Sequence, residues 1–160
     1  VLAAPSKAFN LQGLTYGYGI IPNDEIRARF EETMTGYDFD FATNLFSMTA
    51  LEAAYSQGGS WLKELTEYLE KNLDYMCSFI EKEIPQIKVI RPEGSYMAWL
   101  DCRGLGKTPE ELQELFEEHA KIYFTRGETF GSAGDGFERI NFACPRSVLE
   151  EAMQRIKAVV

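Results

Sequence analysis

Near its first residue the chain reads Ala4-Pro5-Ser6-Lys7-Ala8-Phe9-Asn10-Leu11-Gln12-Gly13-Leu14. One lysine stands here among small and apolar residues, with no acidic side chain within ten positions on either side. The chain as a whole holds 25 acidic residues against 16 basic ones. An ε-amine that loses solvent has its charged form destabilised, which makes the neutral nucleophile available. A lysine that condenses with a carbonyl as a Schiff base needs that property. A surface lysine in a turn would have the same neighbours, and the residues of this stretch leave both readings open.

Downstream, "LTYGYGIIPN" is rich in aromatic and β-branched residues and predicts a strand over 16–21. Alternation puts Gly17 and Gly19 on one face, where another backbone can come close. Pro22-Asn23 ends the strand, and Asn23 is placed to cap a helix carrying Ile26, Phe30 and Met34 that stops at Gly36. "YDFDFATN" over 37–44 reads as a connector. Leu45, Met48, Leu51 and Tyr55 then mark a helix ending at Gly58-Gly59. Ser60 is expected to cap the longest helix, whose apolar stripe runs Leu62, Leu65, Leu69, Leu73, Met76, Ile80 and Ile84 until Pro85.

From Ile87 the pattern alternates. "IKVIRPEGSYMAWLDC" predicts two strands around the turn Pro92-Glu93-Gly94. Thr108-Pro109-Glu110-Glu111 forms a capping box with proline at the first helical position, opening a helix with Leu112, Leu115, Phe116 and Ala120. "IYFTRGETF" and "FERINFACP" predict strands on either side of a "GSAGDG" turn. Ser147 with Glu150 is expected to box a last helix with Leu149, Met153, Ile156 and Val160 inward. Three regions result: 1–59, a connecting helix over 60–85, and a small α/β domain over 86–160.

Composition narrows the function classes. At 160 residues and 45% hydrophobic content the chain is long enough for one core or two small ones. A formal charge of −9 and a pI near 4.7 argue against nucleic acid or an anionic membrane as partner. No apolar run approaches a membrane span. The start, Val1-Leu2-Ala3-Ala4-Pro5, lacks both an initiator methionine and the basic region of a signal peptide. Cys77, Cys102 and Cys144, odd in number and far apart, fit reduced thiols and a cytoplasmic setting.

Several motifs fail on inspection. "RGLGKT" at 103–108 resembles the tail of a phosphate-binding P-loop, but Asp101 stands where that pattern needs its first glycine. "GSAGDG" precedes a strand instead of opening a helix, so it is no dinucleotide fingerprint. His119 is the only histidine and lies among glutamates. With three scattered cysteines it provides too few parts for a metal site or a histidine-based triad, so no metal is expected. Arg139 is different, because Phe137, Ile140, Phe142 and Ala143 around it suggest a buried strand where a guanidinium needs an anion. That anion could be structural, from Glu138 or Asp101, or it could be the carboxylate of a substrate, which arginine clamps well.

These strings resemble one family. "PSKAFNLQGL", "PEGSYMAWLDCRGLG" and "GETFGSAGDGFERINFACPRSVLEEA" occur in the order found in MalY/PatB-type cystathionine β-lyases. These are fold type I, pyridoxal-phosphate-dependent members of the aminotransferase class I/II superfamily. Ala8 replaces a threonine common in the family string. The resemblance covers essentially the whole chain and implies the C-terminal portion of such an enzyme. Residues 1–59 would end the large cofactor-binding domain and 86–160 would form the small α/β domain. It implies Lys7 as the catalytic lysine holding pyridoxal 5'-phosphate, Ser6 beside it, and Arg139 as the clamp on the substrate α-carboxylate. The parts that stack on the pyridine ring and hold its nitrogen would be absent. Thr15 stands eight residues after Lys7, where aminotransferases of the superfamily often carry a phosphate-binding arginine, and so it favours a carbon-sulfur lyase over a transaminase. The resemblance also implies a homodimer for the intact enzyme. A chain limited to these 160 residues is expected to be an inactive fragment or interaction module.

Overall fold

The computed structural model describes residues 1–37 and 44–160, so most of the connector expected over 37–44 lies outside the described residues. The chain divides into two compact units, Val1–Leu65 and Thr66–Val160.

In the first unit, β1 (Leu2–Ala3) pairs antiparallel with β2 (Tyr18–Gly19). The strand expected over 16–21 thus narrows to two residues, because the ladder partner it finds is only two residues long. The close backbone approach expected at Gly17 and Gly19 is present at Gly17, where a Cβ would lie 3.4 Å from Ala3 O, whereas one at Gly19 would meet only side chains, that of Leu2 at 3.3 Å. Helix α1 (Asp24–Gly36) is capped as expected, with Asn23 Oδ1 accepting from the Ile26 amide at 2.9 Å. Helix α2 (Leu45–Gln57) begins at Asn44, whose side chain accepts from the Phe46 amide, and it ends at Gly58. The stripe of α1 is exposed, with Ile26 and Phe30 accessible at 59% and 40%. Among the described residues of this unit, only Pro5 and Ser47 are buried.

Helix α3 (Gly59–Glu83) starts in the first unit and continues into the second. It begins one residue before Ser60, so that serine lies inside the first turn and is not the cap expected. The apolar stripe holds where it matters, with Leu73, Met76, Ile80 and the following Ile84 all buried.

The second unit is an antiparallel sheet of order β3-β4-β6-β5 with helices over one face. Its strands are β3 (Lys88–Ile90), β4 (Met97–Asp101), β5 (Thr125–Arg126) and β6 (Phe137–Asn141). Ala98, Leu100 and Ile140 point into the core, where they meet α3, α4 (Pro109–Gln113) with its π-helical continuation Glu114–His119, and α5 (Arg146–Val159). The Thr108 capping box is present in both directions, with Thr108 N donating to Glu111 Oε2 at 2.8 Å. Of the segment expected as a strand before "GSAGDG", only Thr125–Arg126 pairs. The residues after it form 3-10 turns at Gly127–Phe130 and Ser132–Gly134.

The second expected capping box is not formed. Helix α5 starts at Arg146, with Pro145 in the cap position, and Ser147 lies within the first turn. A tertiary contact takes the place of the cap: the Arg146 amide donates to Tyr68 Oη at 2.6 Å. Val160, expected inward, is 38% exposed.

Asn72 ties this junction together. Fully buried on α3, it donates to the carbonyls of Phe142 at 3.1 Å and Cys144 at 2.9 Å, and it accepts from Arg146 Nε at 2.9 Å. All of its amide capacity serves the link between β6 and α5. We expect Asn72→Leu, which keeps the volume but strips these bonds, to destabilise the protein by about 2–4 kcal/mol. Urea unfolding would show this as a lower midpoint with the slope unchanged.

Candidate functional site

The lysine stretch is a compact turn. The Phe9 amide donates to Pro5 O and the Leu11 amide to Ser6 O, both at 2.9 Å, and Asn10 takes a left-handed φ of 54°. Lys7 is exposed at its crest and Ser6 is half-buried beside it. The turn is held from below by Phe9. Its ring lies 5.6 Å from that of Tyr55 edge-on and 6.2 Å from that of Trp61 in a stacked arrangement. Gly58 makes room for it, since a Cβ there would come within 2.6 Å of the Phe9 ring. Tyr18 Oη donates to Tyr55 Oη at 3.1 Å, and this bond raises the Tyr55 pKa. Ser47 closes the far end of the stretch by donating to the Leu14 carbonyl. Nothing in the sequence singled out Phe9. Its role follows from which rings surround it.

Arg139 lies in the second unit, on the face of β6 opposite the core. It is half-buried on a strand that the flanking residues mark as largely buried. Trp99 is its cross-strand neighbour on β4 and Thr125 its neighbour on β5. Its Nη2 donates to Thr125 Oγ1 at 3.2 Å, and its guanidinium sits 4.8 Å from the centre of the Phe130 ring. Its Nε is buried without a hydrogen-bond partner, and among the described residues no carboxylate forms an ion pair with it. Neither structural anion considered from sequence is available. Asp101 is engaged by Arg103, whose Nε and Nη2 reach its two oxygens at 2.8 Å and hold its carboxyl below the usual range. Glu138 points to the other face.

An apolar hollow of about 290 Å³ opens on the Arg139 face, lined by Ile90, Trp99, Phe130, Ala133, Gly134 and Phe137. The two 3-10 turns that form its rim meet glycine to glycine. A Cβ at Gly127 or at Gly134 would strike the carbonyl oxygen of the other, and one at Gly127 would also lie 2.6 Å from Phe137 O.

Glu138 is the residue that the sequence reading weighed only as a partner for Arg139. It is 3% exposed on the core face, and its Oε2 has no hydrogen-bond partner. Burial above all, and then the carboxylates of Glu128 and Glu117, push its pKa from 4.5 up to about 7 against the pull of Arg126. The signal was present in the sequence as parity. Glu138 shares its register with Ile140 and Phe142, so any arrangement that buries those two and turns Arg139 outward must bury Glu138. His119 ends the π-helical segment at the surface, 3.9 Å from Glu114, and takes no part in this site. The described residues contain no cluster of potential metal ligands.

The folded protein holds a proton on Glu138 between the ordinary carboxylate value of 4.5 and about 7, and the unfolded chain does not. Its contribution is therefore fully present below 4.5 and is lost as pH rises through 7. Glu138→Gln should match the wild type in Tm near pH 4.5 and exceed it increasingly toward pH 8. Thermal unfolding followed by circular dichroism at several pH values would measure this difference.

Comparison with known proteins places these strings in a family. The model of aminotransferase class I and II matches residues 1–156. Cystathionine beta-lyase PatB of Bacillus subtilis (strain 168) is 39% identical over 99% of this chain and 41% of its own length. Protein MalY of Escherichia coli (strain K12) is 37% identical over 96% of this chain and 39% of its own length. The crystal structure of cystalysin from Treponema denticola, which contains a pyridoxal 5'-phosphate cofactor, superposes with a TM-score of 0.90. It is 34% identical over 99% of this chain and 40% of its own. The chain thus spans about two-fifths of the length of the relatives it matches.

Proposed function

The chain belongs to the aminotransferase class I and II family, and from that premise we propose that it is the C-terminal part of a pyridoxal-phosphate-dependent carbon–sulfur β-lyase. The intact enzyme would cleave L-cystathionine or related cysteine S-conjugates to pyruvate, ammonia and a thiol. The observation that carries the reading is Arg139, an outward guanidinium with a buried unpartnered Nε and, among the described residues, no carboxylate in an ion pair with it. A group so placed is ready to take the carboxylate of another molecule. The names of PatB and cystalysin's bound cofactor support the same assignment.

The residues present suit the cofactor. Lys7 Nζ stands on an exposed turn without an ion pair to any described residue, so the amine is free to hold an aldehyde. Ser6 would add a hydroxyl contact at the same turn. Pyridoxal phosphate, when bound, supplies an electron sink for the bond broken at the substrate Cα. Arg139 would grip the α-carboxylate with two parallel N–H donors and so fix the direction of the Cα–H bond. Lys7 Nζ would take the proton from Cα. Thr15 supports the lyase reading over transamination, since it brings no guanidinium to the position where aminotransferases of the superfamily often have one.

The intact protein is read as a cytoplasmic homodimer. The three free cysteines of this chain suit a reducing compartment, and among the described residues no helix is long and apolar enough to cross a membrane. The isolated chain is read as inactive, which the sparse burial of its first unit supports.

Cystathionine offered to the intact enzyme without any keto acid should release pyruvate; if none appears, the lyase assignment is wrong. Lys7→Ala should abolish that release. Arg139→Lys should raise KM by about tenfold or more with a smaller change in kcat, because a point charge cannot reproduce the bidentate grip. Residues 1–160 mixed with pyridoxal phosphate should develop no stable absorbance at the violet edge of the visible spectrum. A yellow protein that survives gel filtration would refute the inactive reading.

A further inference from the structure

We propose that Glu138, buried on the reverse side of the strand that carries Arg139, is a positioning residue for that guanidinium, acting through Arg126 and Thr125. The inference rests on the reading of Arg139 as a carboxylate clamp and adds a control over it.

The strand β5 is two residues long, and both pair with consecutive residues of β6. Arg126 lies opposite Glu138 on the core face, and Thr125 lies opposite Arg139 on the other. Thr125 accepts the Arg139 hydrogen bond at 3.2 Å. Arg126 donates to Gln113 Oε1 at 2.6 Å and pairs with Glu128 at 3.2 Å. The turn that follows β5 directly carries Phe130, over which the Arg139 guanidinium lies, and Thr129 Oγ1 donates back to Arg126 O at 2.7 Å. Arg126 therefore sits between the two groups that hold Arg139, and a shift in its backbone moves both.

A neutral Glu138 asks nothing of Arg126. An ionised one would be a buried carboxylate without a partner, which is costly until a cation reaches it. The groups facing it are Arg126 and Glu128 from β5 and its turn, Glu117 from the π-helical segment, and the Cys102 thiol at the end of β4. Arg126 is the only cation among them. Drawing it inward would cost the Gln113 bond and the Glu128 pair, and would displace the two-residue strand that supports Thr125. Proton occupancy on the core face is thus converted into guanidinium placement on the other. The carboxyl changes state near neutrality, at about 7.

The test uses the intact, cofactor-loaded protein and propionate, a carboxylate without an amine whose own charge is constant from pH 6 to 8. Its Kd is measured by calorimetry at both pH values in the wild type, Glu138→Gln and Arg139→Gln. If only the neutral form holds Arg139 in place, wild-type affinity should fall by up to about tenfold between pH 6 and 8. Glu138→Gln, permanently neutral and of the same shape, should keep the pH 6 affinity throughout. A wild-type affinity that does not fall, or a fall that Glu138→Gln retains in full, overturns the proposal. Propionate binding that is absent, or that Arg139→Gln leaves unchanged, overturns the clamp itself and this control with it, a result distinct from the first two. Should Glu138→Gln not fold, Arg126→Gln removes the cation to be recruited and should also give equal affinities at the two pH values; a persisting fall would again overturn the inference.

Discussion

The β4–β6 ladder joins five residue pairs, from Met97↔Asn141 to Asp101↔Phe137, and it sets what each face of the second unit can do. Strand side chains alternate, so burying Ile140 and Leu100 under the helices turns Trp99 and Arg139 to the other side. The helices α3 and α5 then make one face dry, with Asn72 satisfying the carbonyls where β6 passes into α5. The dry face gives the sheet its stability and leaves the opposite face to carry a guanidinium that no carboxylate among the described residues pairs with. Moving the ladder by one residue would exchange these roles, putting Arg139 in the core.

The first unit is organised by a different constraint. Its lysine turn is not stabilised by a deep core but by one ring, Phe9, set among Tyr55, Trp61 and the bare backbone of Gly58. The turn holds its shape from local hydrogen bonds and this ring, with Ser47 holding the Leu14 carbonyl at the far end of the stretch. Lys7 is left exposed on the turn.

Elements whose signal is local were legible in the sequence. The Asn23 cap, the Thr108 capping box and the long stripe of α3 depend on neighbours three or four residues away, and the structure has all three. Elements whose ends depend on distant partners were not. The expected strand over 16–21 shrinks to Tyr18–Gly19 because β1 is short, and the Ser147 box gives way to a hydrogen bond from Arg146 to Tyr68, 78 residues away in sequence. Of the candidate site, Lys7, Ser6 and Arg139 stand as proposals that rest on their strings. Glu138 is no partner for Arg139 despite its adjacency, because neighbouring side chains on a strand face apart. Phe9, Thr125 and Phe130 were invisible, since their roles come from what the fold brings against them.

The paired glycines at the rim of the aromatic hollow carry a consequence for inheritance. Gly127 and Gly134 each exclude a side chain by presenting a backbone oxygen to the other, so neither position can be relieved by a change at its partner. Contacts made by side chains leave a record of compensating exchanges among descendants. This contact is made of main chain, for which no compensating exchange exists. Among homologues that keep this rim, the two positions should stand as independently invariant columns that never covary, and a method that finds contacts from correlated substitutions would overlook this one.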